Sequence, residues 1–254
     1  MDRRDILTQL SDRSAYPADT VRYCLDHPDR TTSVFVPLLR KSAENNPIET
    51  VEADALFLGL HVMGELRIRS AFSPLLELSL KHPETLVRIF GEAGIGATLP
   101  RVLMCLCQDQ SDKLWQVVQS QHLDFLIRDA FLRAWTFEVF EGRVSQAVAV
   151  QKLSHMLNDE TAPIPSDPIW NGWLTAIADL GFKDLESVAK QAVSTGQILA
   201  DPGDLPDIEI RDFEAAMLET QASEDRSALQ VQRGYVPFGD APGDWGKAFV
   251  NAPN

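Results

Sequence analysis

Apolar residues recur along most of this 254-residue chain at intervals of three and four. Leu123, Leu126, Ile127, Ala130, Ala134 and Phe137 line one helix face in this way. Further on, Asp167 reads as an N-cap, Pro168 as the first helical residue, and Gly181 as the residue just past the end of a stripe formed by Ile169, Trp173, Ile177 and Leu180. A second helix follows, with Asp184 as its cap and Leu185, Val188, Ala189, Ala192 and Val193 on one face. The stretch ALFLGLHVMGEL, from Ala55, is apolar nearly all round, as in a helix enclosed by its neighbours. No segment alternates convincingly with period two, so the pattern predicts an all-α chain. The core residues it predicts are Leu58, Val62, Leu75, Leu103, Leu126, Phe131, Trp135 and Trp173.

Three stretches can be laid over one another: FVPLLRKSAENN from Phe35, FSPLLELSLKHPE from Phe72 and TLPRVLMCLCQDQ from Thr98. Their register aligns Pro37, Pro74 and Pro100, each expected in the first turn of a helix, where a missing N–H costs nothing. The spacings of 37 and 26 residues are near the length of helix-turn-helix repeats, which bury their apolar faces only by stacking. The predicted architecture is an α-solenoid of stacked antiparallel helix pairs over residues 1–200, a linker with a short helix over 201–220, and an irregular tail over 221–254.

GEAGIGATLP, residues 91–100, carries three glycines and raises the question of a phosphate loop. A phosphate loop needs a preceding strand and a Lys-Ser/Thr pair, and the dinucleotide fingerprint runs G-x-G-x-x-G, the reverse of the spacing here. The preceding ETLVRIF is helical by period, so the glycines are expected to turn one helix into the next, with a left-handed cap. His27-Pro28-Asp29 and His82-Pro83-Glu84 read the same way: histidine in a last turn favours the helix dipole, and proline stops the helix. Cys105 and Cys107 stand two apart on a helix, so their side chains diverge and hold no metal. His61 lies on an otherwise apolar helix and reads as a core histidine rather than a base. No H-E-x-x-H pair, no G-x-S-x-G elbow and no other catalytic or cofactor-binding set is visible.

Composition narrows the functional classes. The formal charge is −14, and from Asp159 onward 17 acidic residues face 6 basic ones, a net of −11. Nucleic acid and anionic membrane surfaces need the opposite sign, which leaves basic or neutral proteins as partners. The chain begins MDRRDILTQLSDR, without a secretory pattern, and its longest apolar stretch is far below the roughly 18 residues that span a bilayer. Three cysteines without a framework spacing fit a reducing compartment, so a cytoplasmic protein is expected.

Four segments carry a resemblance: ALFLGLHVMGELRIRSAFSPLLELSLKHP, GEAGIGATLPRVLMCLCQDQSDKLWQVV, RDAFLRAWTFEVFEGRVSQ and WLTAIADLGFKDLESVAKQAVSTGQI. From about Ala53 to Met217 the chain resembles an uncharacterised bacterial family of HEAT-like helical-repeat proteins, a domain-of-unknown-function group. The resemblance implies a curved helical surface that holds another protein. Some members end in a cysteine- and histidine-containing metal tail. This chain has no cysteine after Cys107 and no histidine after His155, so zinc is not carried over.

The tail ends RGYVPFGDAPGDWGKAFVNAPN, whose glycines and prolines sustain neither a helix nor a central strand. Yet it carries Tyr235, Phe238, Trp245 and Phe249, and burying such a side chain is worth roughly 1.5–3 kcal/mol. These four are the candidate docking residues, either along the helical stack or onto a neighbouring subunit or partner. The function expected is a non-enzymatic protein-interaction scaffold. The alternatives are an enzyme on a helical-repeat scaffold, such as a glycosylase or cofactor-attaching lyase, and a small-molecule sensor with its ligand between helices.

Overall fold

The computed structural model describes residues 1–12, 14–44, 46–158, 160, 162–199 and 206–238. Among them every regular element is helical: fourteen α-helices, one 3-10 helix and no strand. The described residues fall into two compact units, Met1–Lys113 with the segment from Val236, and Leu114–Tyr235.

The first unit contains α1 (Arg3–Ser11), α2 (Ala18–Asp26), α3 (Pro28–Ala43), α4 (Thr50–Glu65), a 3-10 helix (Arg69–Ala71), α5 (Phe72–Lys81), α6 (Pro83–Ala97) and α7 (Leu99–Leu106). Its centre is α4, which packs against α1, α2, α3, α6 and α7. Leu56, Leu58, Leu60, Val62 and Met63 point to every side of that helix and all are fully buried, which is why the sequence there lacks a polar stripe. Gly59 lets α3 approach, since a Cβ there would stand 2.5 Å from the ring of Phe35.

His27 ends α2 and His82 ends α5, and in each case the following proline opens the next helix. The histidines are non-helical (φ −128°, ψ 68° and φ −138°, ψ 57°), because a residue before proline is driven out of the helical region. The same dipeptide thus ends one helix and starts another. The proline alignment does not survive: Pro74 and Pro100 lie in first turns, but Pro37 is the tenth residue of α3, inside the helix. The recurring device is His-Pro-acid at 27–29 and 82–84, not the aligned prolines.

GEAGIGATLP is helical rather than a loop. Gly91 alone leaves the helix (φ 66°, ψ 161°) and kinks α6, a conformation accessible to glycine. Gly94 and Gly96 continue the helix, and the turn into α7 comes at Thr98.

The second unit takes up α8 (Ser111–Val118) from Leu114, then α9 (Phe125–Phe140), α10 (Gln146–Asn158), α11 (Ile169–Leu180), α12 (Lys183–Ser194), α13 (Pro206–Ala222) and α14 (Arg226–Gln232). Here α11 is central, against α9, α12 and α13. Trp173 is buried and donates its indole N–H to the Leu153 carbonyl at 2.9 Å. The N-cap position of α11 is Pro168, one residue later than predicted; Asp167, just before it, accepts from Ile169 N–H (3.0 Å), and its other oxygen accepts from the buried Arg128 guanidinium (2.7 Å). Gly181 ends the helix in the left-handed conformation (φ 67°, ψ 36°).

Three local expectations need correction. Leu126 is half-buried, while the other members of its predicted stripe, Leu123, Ile127, Ala130, Ala134 and Phe137, are buried, so Leu126 stands at the edge of the inner face of α9 rather than on it. The helix after Gly181 begins at Lys183, so Asp184 sits in its first turn, near the positive end of the dipole, rather than at the cap. Finally, Asp225 accepts from the Ser227 and Ala228 amides and starts α14, within a stretch that composition alone reads as irregular. Among the described residues no single helix is long and apolar enough to cross a membrane.

Candidate interaction site

Of the four tail aromatics, Tyr235 and Phe238 are buried, each 3% exposed, Tyr235 in the second unit and Phe238 in the first. Trp245 and Phe249 lie outside the described residues.

The seat of Phe238 is built from two helices of the first unit. One turn of α4 supplies His61 and Gly64, and one turn of α7 supplies Arg101 and Cys105. The ring lies against Gly64, where a Cβ would stand 3.0 Å from ring Cδ2. It sits 5.5 Å from the His61 ring, and the Arg101 guanidinium lies 4.7 Å from its centroid, within cation–π range. The backbone is held as well: Arg101 Nε donates to the Val236 carbonyl at 3.0 Å, and Phe238 N–H donates to Cys105 Sγ at 3.3 Å. Ring and main chain are thus held together.

Burial sets the protonation states here. It depresses His61 to a pKa of about 4, and the Arg101 charge adds to the effect, while the hydrogen bond to the Phe57 carbonyl at Nδ1 (2.7 Å) opposes it. His61 is therefore neutral at pH 7 and carries Nδ1–H. Burial also pushes the Cys105 thiol up, against the opposing pull of the Phe238 amide and of Arg67 and Arg101. Cys24, Cys105 and Cys107 are all buried and unbridged. No group of His, Cys, Asp and Glu among the described residues is arranged to hold a metal ion.

Tyr235 is positioned by the end of α14. Gly234 (φ 80°) donates to Val231 O and Tyr235 N–H reaches back to Gln230 O at 3.0 Å, a Schellman closure that turns the chain. The Tyr235 hydroxyl then donates to Asp179 Oδ2 at 2.8 Å. Arg233 bridges Glu219 (2.6 Å) and Asp179 Oδ1 (3.4 Å). Burial raises the pKa of Asp179, with Tyr235, Arg233 and Arg133 working against it, and burial together with Asp179 raises that of Tyr235.

Sequence reasoning reached the two aromatics but not their receptors. Gly64 in an apolar helix had no visible purpose, and Arg101, Cys105 and Asp179 join the tail across more than fifty residues of sequence, a separation that no local pattern bridges.

A family model described as "Protein of unknown function (DUF1186)" matches residues 1–230. Neither the curated proteins nor the solved structures compared with the chain give a match.

Proposed function

Because the chain belongs to the DUF1186 family of proteins of unknown function, its role has to be read from its own surfaces, and we propose a non-enzymatic protein-interaction scaffold. In this reading the helices stack as HEAT-like antiparallel pairs in an α-solenoid, and a helix face of the first unit holds a non-helical, aromatic-bearing segment of a partner protein. One observation carries it: the Phe238 seat, which binds a ring, a carbonyl and an amide of one short segment at once. The charge of −14 supports a basic or neutral partner over nucleic acid or an anionic membrane. Three buried free thiols support a cytoplasmic setting.

In this scheme Val236–Phe238 occupies the seat in cis until a partner segment of similar chemistry replaces it. Affinity capture with three proteins tests this: wild type, Phe238→Ala, which vacates the seat, and Gly64→Leu, which fills it. A partner enriched by Phe238→Ala and lost with Gly64→Leu is the expected result. The same set of proteins captured by all three would overturn the reading.

A further inference from the structure

The segment in the Phe238 seat is held at two main-chain atoms that flank a single residue. Arg101 Nε donates to the Val236 carbonyl at 3.0 Å, and the Phe238 amide donates to Cys105 Sγ at 3.3 Å. Peptide planes are rigid, so only two soft torsions separate that carbonyl from that amide, φ and ψ of residue 237. Residue 237 is proline. Its ring holds φ near −65° before docking, which leaves one torsion to be fixed on binding.

The position asks for nothing that proline lacks. The seat takes the carbonyl before it and the amide after it, and proline leaves both in place while its own nitrogen carries no hydrogen. Proline also drives Val236 into the extended region, and residues 235–238 are non-helical. Val236 and Pro237 are half-buried, whereas Phe238 is 3% exposed. Cover is thus concentrated on the ring, and the proline acts through the backbone.

The receptor measures the same spacing. Arg101 spends Nε on the Val236 carbonyl and sets its guanidinium 4.7 Å from the centroid of the Phe238 ring, so one side chain spans a carbonyl and a ring two residues apart. Cys105, one turn further along α7, takes the amide of that same aromatic residue.

Building on the scaffold reading, we propose that the seat selects an Xaa-Pro-Phe segment in an extended, polyproline-like conformation, and that the partner displacing Val236–Phe238 carries one. The first position contributes its carbonyl, the second a preset φ, and the third an amide and a ring. A preformed segment of this kind loses less conformational freedom on docking than a flexible one, which is where the selectivity arises.

Three fluorescently labelled hexapeptides test this against the full-length Phe238→Ala protein by fluorescence polarisation: RGYVPF, the same peptide with alanine in place of proline, and the same peptide with N-methylphenylalanine at its end. Alanine is expected to weaken binding about two- to fivefold, the effect of an unrestrained φ. N-methylphenylalanine removes the donor to Cys105 and sets a methyl group against the sulfur, and should weaken binding at least about fivefold. In the otherwise wild-type chain, Pro237→Ala should speed alkylation of Cys105 by iodoacetamide by the same factor of about two to five. Equal binding of the proline and alanine peptides, undiminished binding of the N-methylated one, or an unchanged alkylation rate would overturn the selectivity and leave the scaffold reading standing. No binding by any of the three peptides would overturn both.

Discussion

Gly64 and Phe238 meet at the limit of van der Waals contact: a Cβ on the glycine would stand 3.0 Å from Cδ2 of the ring, and the Phe238 amide donates to Cys105 Sγ at 3.3 Å. The absence of one side chain on α4 therefore decides whether a segment 174 positions further along can be seated. Phe238→Ala is expected to uncover Cys105. Alkylation of Cys105 by iodoacetamide should accelerate at least about tenfold in this variant, the ratio that corresponds to about 1.4 kcal/mol of lost docking. An unchanged rate would show that the segment does not shield the thiol in solution.

The edge of the buried face of α9 separates two neighbouring aliphatic positions. Ile127 is fully buried, and Ile127→Ala should cost about 2–5 kcal/mol if the site does not collapse. Leu126, half-buried, should cost less than about 1.5 kcal/mol when truncated, since much of its side chain already meets water. Urea denaturation of the two variants checks this, and equal losses would show that Leu126 is as enclosed as Ile127.

What sequence made legible here was whatever is local and periodic. The enclosed helix ALFLGLHVMGEL, the cap-to-glycine frame from Asp167 to Gly181, and the histidine-proline junctions all rest on interactions within a few residues. Pro37 was misplaced because an apolar helix with proline reads the same whether the proline opens it or lies inside it; Pro28, nine residues earlier, is the one that opens α3. α14 was missed because its signal is a single cap, Asp225, amid polar residues, with only Leu229 buried. The site was half legible. Aromatics in a glycine- and proline-rich tail announce a need for cover, but which helices provide it depends on tertiary contacts that the chain pattern does not encode.

Buried His61 makes stability depend on pH. Its folded pKa of about 4 lies below the ordinary value of 6.5, so its contribution is fully present above pH 6.5 and is lost as pH falls through that value toward 4. The loss across the whole window is about 3 kcal/mol. Unfolding in urea at pH 7 and again at pH 4.5 gives the drop for wild type, and His61→Gln should show a drop smaller by about 2–3 kcal/mol. Carboxylates contribute to both proteins alike, so equal drops would mean that His61 is not held neutral by burial.

Glu138 is fully buried on α9 and accepts two hydrogen bonds from Arg143, at 2.9 and 2.7 Å. Arg143 is placed by the turn at Gly142 (φ 71°), where Arg143 N–H reaches back to Glu138 O at 2.9 Å. Arg143→Ala takes a charged partner and two hydrogen bonds from a buried carboxylate and should cost about 3–5 kcal/mol, whereas Gly142→Ala adds strain at a positive φ of about 1–2 kcal/mol. Thermal or urea unfolding ranks them, and a milder effect for Arg143→Ala than for Gly142→Ala would contradict the importance given to the pair.

The claim that a helix face of the first unit recognises a non-helical aromatic segment is tested most directly by supplying that segment from outside. A fluorescently labelled peptide RGYVPF, residues 233–238, is titrated into the Phe238→Ala protein, whose seat is vacant, and followed by fluorescence polarisation. Saturable binding at a dissociation constant of about 1 mM or tighter is expected, weakened at least about tenfold when Phe of the peptide is replaced by Ala or when Gly64→Leu is added to the protein. Absence of binding to the vacated protein, or binding indifferent to both changes, would contradict it.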